Sequence, residues 1–128
     1  MTDAPIEQRV GAALRERDET LAVAESCTGG LVGSLVTDVT GASAYFDRSL
    51  VTYAYAAKRE LLAVSRESLD AHGVVSEPVA AEMARGVRDT AGTDCPVARY
   101  EFEGSRTEVK AKIARRALED LFDMVRNQ

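Results

Sequence analysis

Thr20-Leu21-Ala22-Val23-Ala24-Glu25-Ser26-Cys27-Thr28-Gly29-Gly30-Leu31-Val32-Gly33-Ser34-Leu35-Val36 passes from one apolar run, through a polar turn, into another. Thr20 to Ala24 has the length and apolar character of a strand covered on both faces, as in parallel sheets. Gly29 to Val39 reads as a helix entered through paired glycines and closed at Thr40-Gly41. A strand-to-helix turn holds its side chains at the carboxyl end of a sheet. It also points backbone N–H groups into that space, where anions and developing oxyanions are stabilised. Glu-Ser-Cys-Thr in such a turn supplies two nucleophile types together.

Outward from this turn, helices and strands alternate. Ile6, Val10, Ala13 and Leu14 share one face of an amphipathic first helix. Ser49 to Tyr53 is a second strand, and Ala56 to Leu62 is a short helix carrying Lys58. Ser65 is placed to cap a helix through Leu69, with His72-Gly73 as its stop. Ser76-Glu77-Pro78 opens a helix that runs to Gly92. Val97 to Phe102 reads as a strand. Ser105-Arg106-Thr107-Glu108 forms a capping box, followed by an apolar stripe at Val109, Ile113, Ala117, Leu121 and Val125. This order predicts a layered α/β domain with a parallel sheet, residues 1–128 forming a single domain. Only three strands are convincing, few for so many helices.

Composition narrows the function classes. Hydrophobic residues at 45% and charged residues at 29% suit a soluble globular domain. No apolar run approaches the roughly 20 residues of a membrane helix. Met1-Thr2-Asp3-Ala4-Pro5 lacks the basic and apolar regions of a signal peptide, so a cytoplasmic location is expected. A net charge of −5 argues against non-specific nucleic-acid binding, which needs clustered Lys and Arg. Two cysteines do not make a disulfide framework, and no His, Cys, Asp or Glu cluster has metal-ligand spacing.

Several residues could carry chemistry. Ser26 is either a turn or cap residue, or a nucleophile needing a nearby base. His72, the only histidine, falls at a helix C-terminus and makes a poor partner for it. Lys58 follows another strand-to-helix turn, and parallel geometry brings that turn to the same sheet edge. A partly desolvated lysine can act as a base toward serine, with Tyr53 to relay or orient the proton. The bland reading of Lys58 is a solvated helix residue. Cys27 is either a second candidate nucleophile or a small buried residue. Thr28, Gly29 and Gly30 could cradle a phosphate, and Arg106 could pair with a phosphate or carboxylate.

Ala24-Glu25-Ser26-Cys27-Thr28-Gly29-Gly30-Leu31, Thr37 to Phe46, Val51-Thr52-Tyr53 with Lys58, His72 to Glu77, and Gly104-Ser105-Arg106 occur here in series. Together they resemble the CinA C-terminal domain family, which includes stand-alone nicotinamide-mononucleotide deamidases. The resemblance implies a three-layer α/β/α sandwich and hydrolysis of nicotinamide mononucleotide to nicotinic acid mononucleotide and ammonia, with no metal or organic cofactor. It implies Ser26 as the catalytic hydroxyl, assisted by Tyr53 and Lys58. Glu25, Cys27, Thr28, Gly29, Gly30, Tyr45 and Arg106 would bind substrate, and the chain would be a homodimer.

One departure from the family pattern stands out. After the helix ending at Gly92, family members carry a strand, a Thr-Gly-Ile-Ala-Gly-Pro-Gly-Gly loop, a Lys-Pro-Val-Gly segment and another strand, and none of these is present here. The family's Tyr-Ser-Asn also reads Tyr53-Ala54-Tyr55. Two expectations follow: an amidohydrolase centred on Ser26, or a shortened, inactive member that binds a nucleotide or dimerises.

Overall fold

The computed structural model describes the backbone of residues 4–97 and 106–127. Among these residues three parallel strands lie in the order β2-β1-β3: β1 (Leu21–Glu25), β2 (Phe46–Val51) and β3 (Cys95–Val97). Six α-helices surround them: α1 (Ile6–Arg17), α2 (Leu31–Thr37), α3 (Tyr55–Leu62), α4 (Arg66–His72), α5 (Glu77–Ala91) and α6 (Arg106–Arg126).

β1 is central in the sheet and every one of its residues is buried. Successive side chains point to opposite faces of a strand. Leu21 and Val23 therefore pack with Ile6, Val10 and Leu14 of α1, Val32 and Val36 of α2, and Ala114, Leu118 and Leu121 of α6. Ala22 and Ala24 pack on the other face with Leu62, Leu69, Val79, Met83 and Val87. Two apolar cores separated by one sheet make the three-layer α/β/α arrangement. At Gly86 the backbone of α5 approaches α3 so closely that an added Cβ would lie 2.0 Å from the Leu62 carbonyl oxygen.

Local sequence explains the boundaries. Ser65 and Ser76 cap α4 and α5 through the N–H groups of Ser68 and Val79. Gly73 and Gly92 end those helices with φ of 79° and 67°. β2 begins earlier than its apolar residues suggest, at Phe46, because the parallel ladder starts where the Leu21 N–H donates to the Tyr45 carbonyl. At the same end of the sheet, Asp94 accepts from the Thr20 N–H and hydroxyl, both at 3.1 Å, tying the approach to β3 to the start of β1. The expected strand from Val97 to Phe102 meets the structure only at Val97, in β3; Ala98 to Phe102 lie outside the described residues.

Candidate active site at the carboxyl end of the sheet

The turn after β1 is built around Glu25. As the strand's last residue it shares a face with Leu21 and Val23, which brings its carboxylate under the start of α2. Oε1 accepts from the Thr28 hydroxyl at 2.7 Å and from the N–H groups of Gly30 and Val32 at 3.0 and 2.9 Å. Oε2 accepts from the Gly33 N–H at 2.9 Å and the Ser49 hydroxyl at 2.5 Å. Gly29 and Gly30 take φ of 59° and 101°, which lets the chain turn tightly enough for this. Gly33 leaves the room: an added Cβ would lie 2.9 Å from Ser49 Cβ.

This corrects two expectations. Glu25 and the Thr28 hydroxyl are not presented to a substrate; they are buried and bonded to each other. Of the N–H groups expected to cradle an anion, that of Gly30 donates to the chain's own Glu25 carboxylate and that of Gly29 to the Ser26 carbonyl, and Glu25 also takes the Val32 and Gly33 N–H groups. Just before them, the Cys27 N–H is engaged by its own thiol, and the Thr28 N–H donates to no acceptor among the described residues.

Ser26 and Lys58 do meet. Lys58 reaches back from α3, fully buried, and its Nζ lies 2.9 Å from Ser26 Oγ, 2.7 Å from the Thr52 carbonyl and 3.0 Å from the Tyr53 carbonyl. No carboxylate pairs with it among the described residues. Burial pushes its pKa below the ordinary lysine value, while Cys27 opposes that shift. A neutral amine has two hydrogens and one lone pair, and a carbonyl oxygen can only accept. With both hydrogens on the carbonyls, the lone pair faces Ser26 Oγ. The arrangement can take a proton from a serine hydroxyl.

The other expected residues divide. Tyr53 supplies its carbonyl to Lys58, while its side chain is 64% exposed. Tyr45 does not join the cluster, a correction with a simple cause. It precedes β2 and sits at the amino end of the sheet, buried against Gly11, with Arg15 over its ring. Cys27 is a half-buried free thiol whose pKa is raised, chiefly by burial, against the pull of Lys58 and Lys110. It is therefore a weak nucleophile at neutral pH. Arg106 opens α6, but its side chain lies outside the described residues.

Two residues were missed by the sequence reading. Ser49 looked like an ordinary strand residue, and only the pairing of Ala24 and Glu25 with Leu50 and Val51 brings it near Glu25. Lys110 on α6 lies at the turn, its Nζ 3.4 Å from where a Gly29 Cβ would stand. Its place in a helical polar face gave no sign of this.

The CinA C-terminal domain family model matches residues 3–99. The chain belongs to the CinA C-terminal domain family. It is 52% identical over 88 residues to the nicotinamide-nucleotide amidohydrolase PncC of Enterobacter agglomerans, covering 69% of this chain and 54% of that protein. It is 47% identical over 100 residues to the PncC protein of Escherichia coli K12, covering 76% and 61%. A CinA-like protein of Chlorobium limicola is 52% identical over 102 residues, 80% of this chain but 24% of that one. The matched part thus spans between a quarter and three fifths of these relatives. A crystal structure of a CinA superfamily protein from Klebsiella pneumoniae 700603 superposes with a TM-score of 0.92 at 27% identity, covering 96% of this chain and 97% of that one. The Agrobacterium tumefaciens competence/damage inducible protein CihA gives 0.86 at 29%, covering 96% and 94%.

Proposed function

We propose that this CinA-family chain hydrolyses the carboxamide of nicotinamide mononucleotide, with Ser26 as nucleophile and Lys58 as its base. The contact between Lys58 Nζ and Ser26 Oγ at 2.9 Å carries the reading, and the names of the PncC relatives support the substrate. Neutral Lys58 takes the Ser26 proton as Oγ bonds to the amide carbon, and the carbonyl electrons move onto oxygen. The Thr28 N–H, with no acceptor among the described residues, is a donor available to that oxyanion. The Lys58 ammonium then returns a proton to the amide nitrogen, the carbon–nitrogen bond breaks, and ammonia leaves an acyl-Ser26 ester. Water, deprotonated by Lys58, attacks the ester; the carboxylate departs and Ser26 regains its proton.

Purified protein incubated with nicotinamide mononucleotide should release ammonia. Ser26→Ala should lower kcat on the order of a thousandfold or more, because nucleophile and base act as a unit. Folded protein that releases no ammonia would support the inactive, shortened member instead. Undiminished turnover by Ser26→Ala would remove Ser26 from its role. The homodimer and the cytoplasmic location belong to the same proposal; light scattering and cell fractionation test them.

A further inference from the structure

We infer that Lys110 is the anchor for the substrate's phosphate, a positioning role that rests on the mononucleotide reading above. A mononucleotide brings a phosphate dianion to a chain whose net charge is −5, so the site needs a local cation. The cations and helix end beside the turn are few. Lys58 is buried with its three contacts taken by Ser26, Thr52 and Tyr53. The first N–H groups of α2 are occupied by Glu25. That leaves Lys110.

Its position fits the role. Lys110 projects from the first turns of α6 over the backbone of Gly29, with Nζ 3.4 Å and Cε 4.0 Å from where a Cβ would stand. It is half-buried, and among the described residues it has neither an ion pair nor a hydrogen-bond partner. It lies near enough to Cys27 for its charge to act on that thiol. A cation beside the nucleophile's turn with no counter-charge among the described residues suits an anion arriving with the ligand. Gly29 therefore has two reasons to lack a side chain: its positive φ and the ammonium resting on it.

Two measurements test this. In turnover, Lys110→Gln should raise KM for nicotinamide mononucleotide about tenfold with kcat nearly unchanged, and Lys110→Arg should restore most of the loss. Turnover of nicotinamide riboside, which lacks the phosphate, should be the same in Lys110→Gln as in the parent chain. In calorimetry, ribose 5-phosphate should bind the parent chain and bind Lys110→Gln about tenfold more weakly. Lys110-dependent binding of ribose 5-phosphate without any amide hydrolysis would keep the anchor and discard the amidohydrolase reading. Equal binding by parent and variant, no binding by the parent, or an equal loss with nucleotide and riboside would overturn the anchor.

Discussion

Lys58 Nζ lies between Ser26 Oγ and two backbone carbonyls that can only accept, so the contacts of the amine fix which way its lone pair points. The Thr52 and Tyr53 carbonyls orient the base much as a third group orients the base of a catalytic triad. This assigns the residues after β2 a role through their backbone, and Tyr53 belongs to the site through its carbonyl. The Tyr53 side chain, largely exposed, is replaceable in a way that Lys58 is not.

The pH profile follows from this geometry. Burial holds the Lys58 pKa below the ordinary 10.5, and only the neutral amine can accept the Ser26 proton. Hydrolysis of nicotinamide mononucleotide should therefore rise with pH through a single ionisation below 10.5 and level off above it. The measurement is kcat/KM across the neutral and alkaline range. A rate that is flat there, or that falls as pH rises, would show that the protonated lysine is the working form.

The same burial makes Lys58 a cost to stability. Its folded pKa lies below its unfolded value, so between the two the unfolded chain binds more protons and stability rises with pH. Below the folded pKa the full penalty is present. Lys58→Met should remove activity and give a thermal midpoint at neutral pH equal to or above that of the parent chain, without the alkaline gain. A midpoint lowered by several degrees would mean that the two carbonyl contacts outweigh the buried charge.

Cys27, beside Ser26, should be chemically quiet. Burial raises its thiol pKa more than the two nearby lysines lower it, leaving little thiolate at neutral pH. Cys27→Ala should keep kcat within about threefold of the parent, and iodoacetamide should react more slowly with Cys27 than with an unhindered thiol. A loss of the size expected for Ser26→Ala would make the cysteine the nucleophile.

Much of this was legible in the sequence because it is local. Strand, turn and helix followed from apolar runs and glycines, and Ser65 and Ser76 cap helices as their spacing suggests. Parallel topology was enough to bring Lys58 to Ser26, since both follow strands at one edge. What escaped was set by register and long-range packing. Ser49 reaches Glu25 only because β1 and β2 pair as they do, and Lys110 reaches Gly29 only because α6 packs beside α2. Tyr45 was misassigned because its motif travels with the site in sequence, while the strand that follows it carries the site to the opposite end of the sheet.

Glu25 offers the sharpest separation of structure from chemistry. Its carboxylate accepts five hydrogen bonds, three of them from N–H groups at the start of α2, where the helix dipole also favours negative charge. Glu25→Gln replaces one accepting oxygen with an amide group that can only donate, setting it against donors at Gly33 and Ser49 or at Thr28, Gly30 and Val32. The change should cost about 2–4 kcal/mol of stability, since hydrogen bonds to a charge are lost and donors are left unpaired. It should also lower kcat roughly tenfold to a hundredfold by shifting the adjoining Ser26 away from Lys58. Ser49→Ala removes one donor only and should cost about 1–2 kcal/mol. Denaturant unfolding and steady-state kinetics on both variants check this, because a turn that merely bounds the fold would lose stability without a matching fall in kcat. If Glu25→Gln keeps both the stability and the kcat of the parent chain, the carboxylate is not what holds the turn.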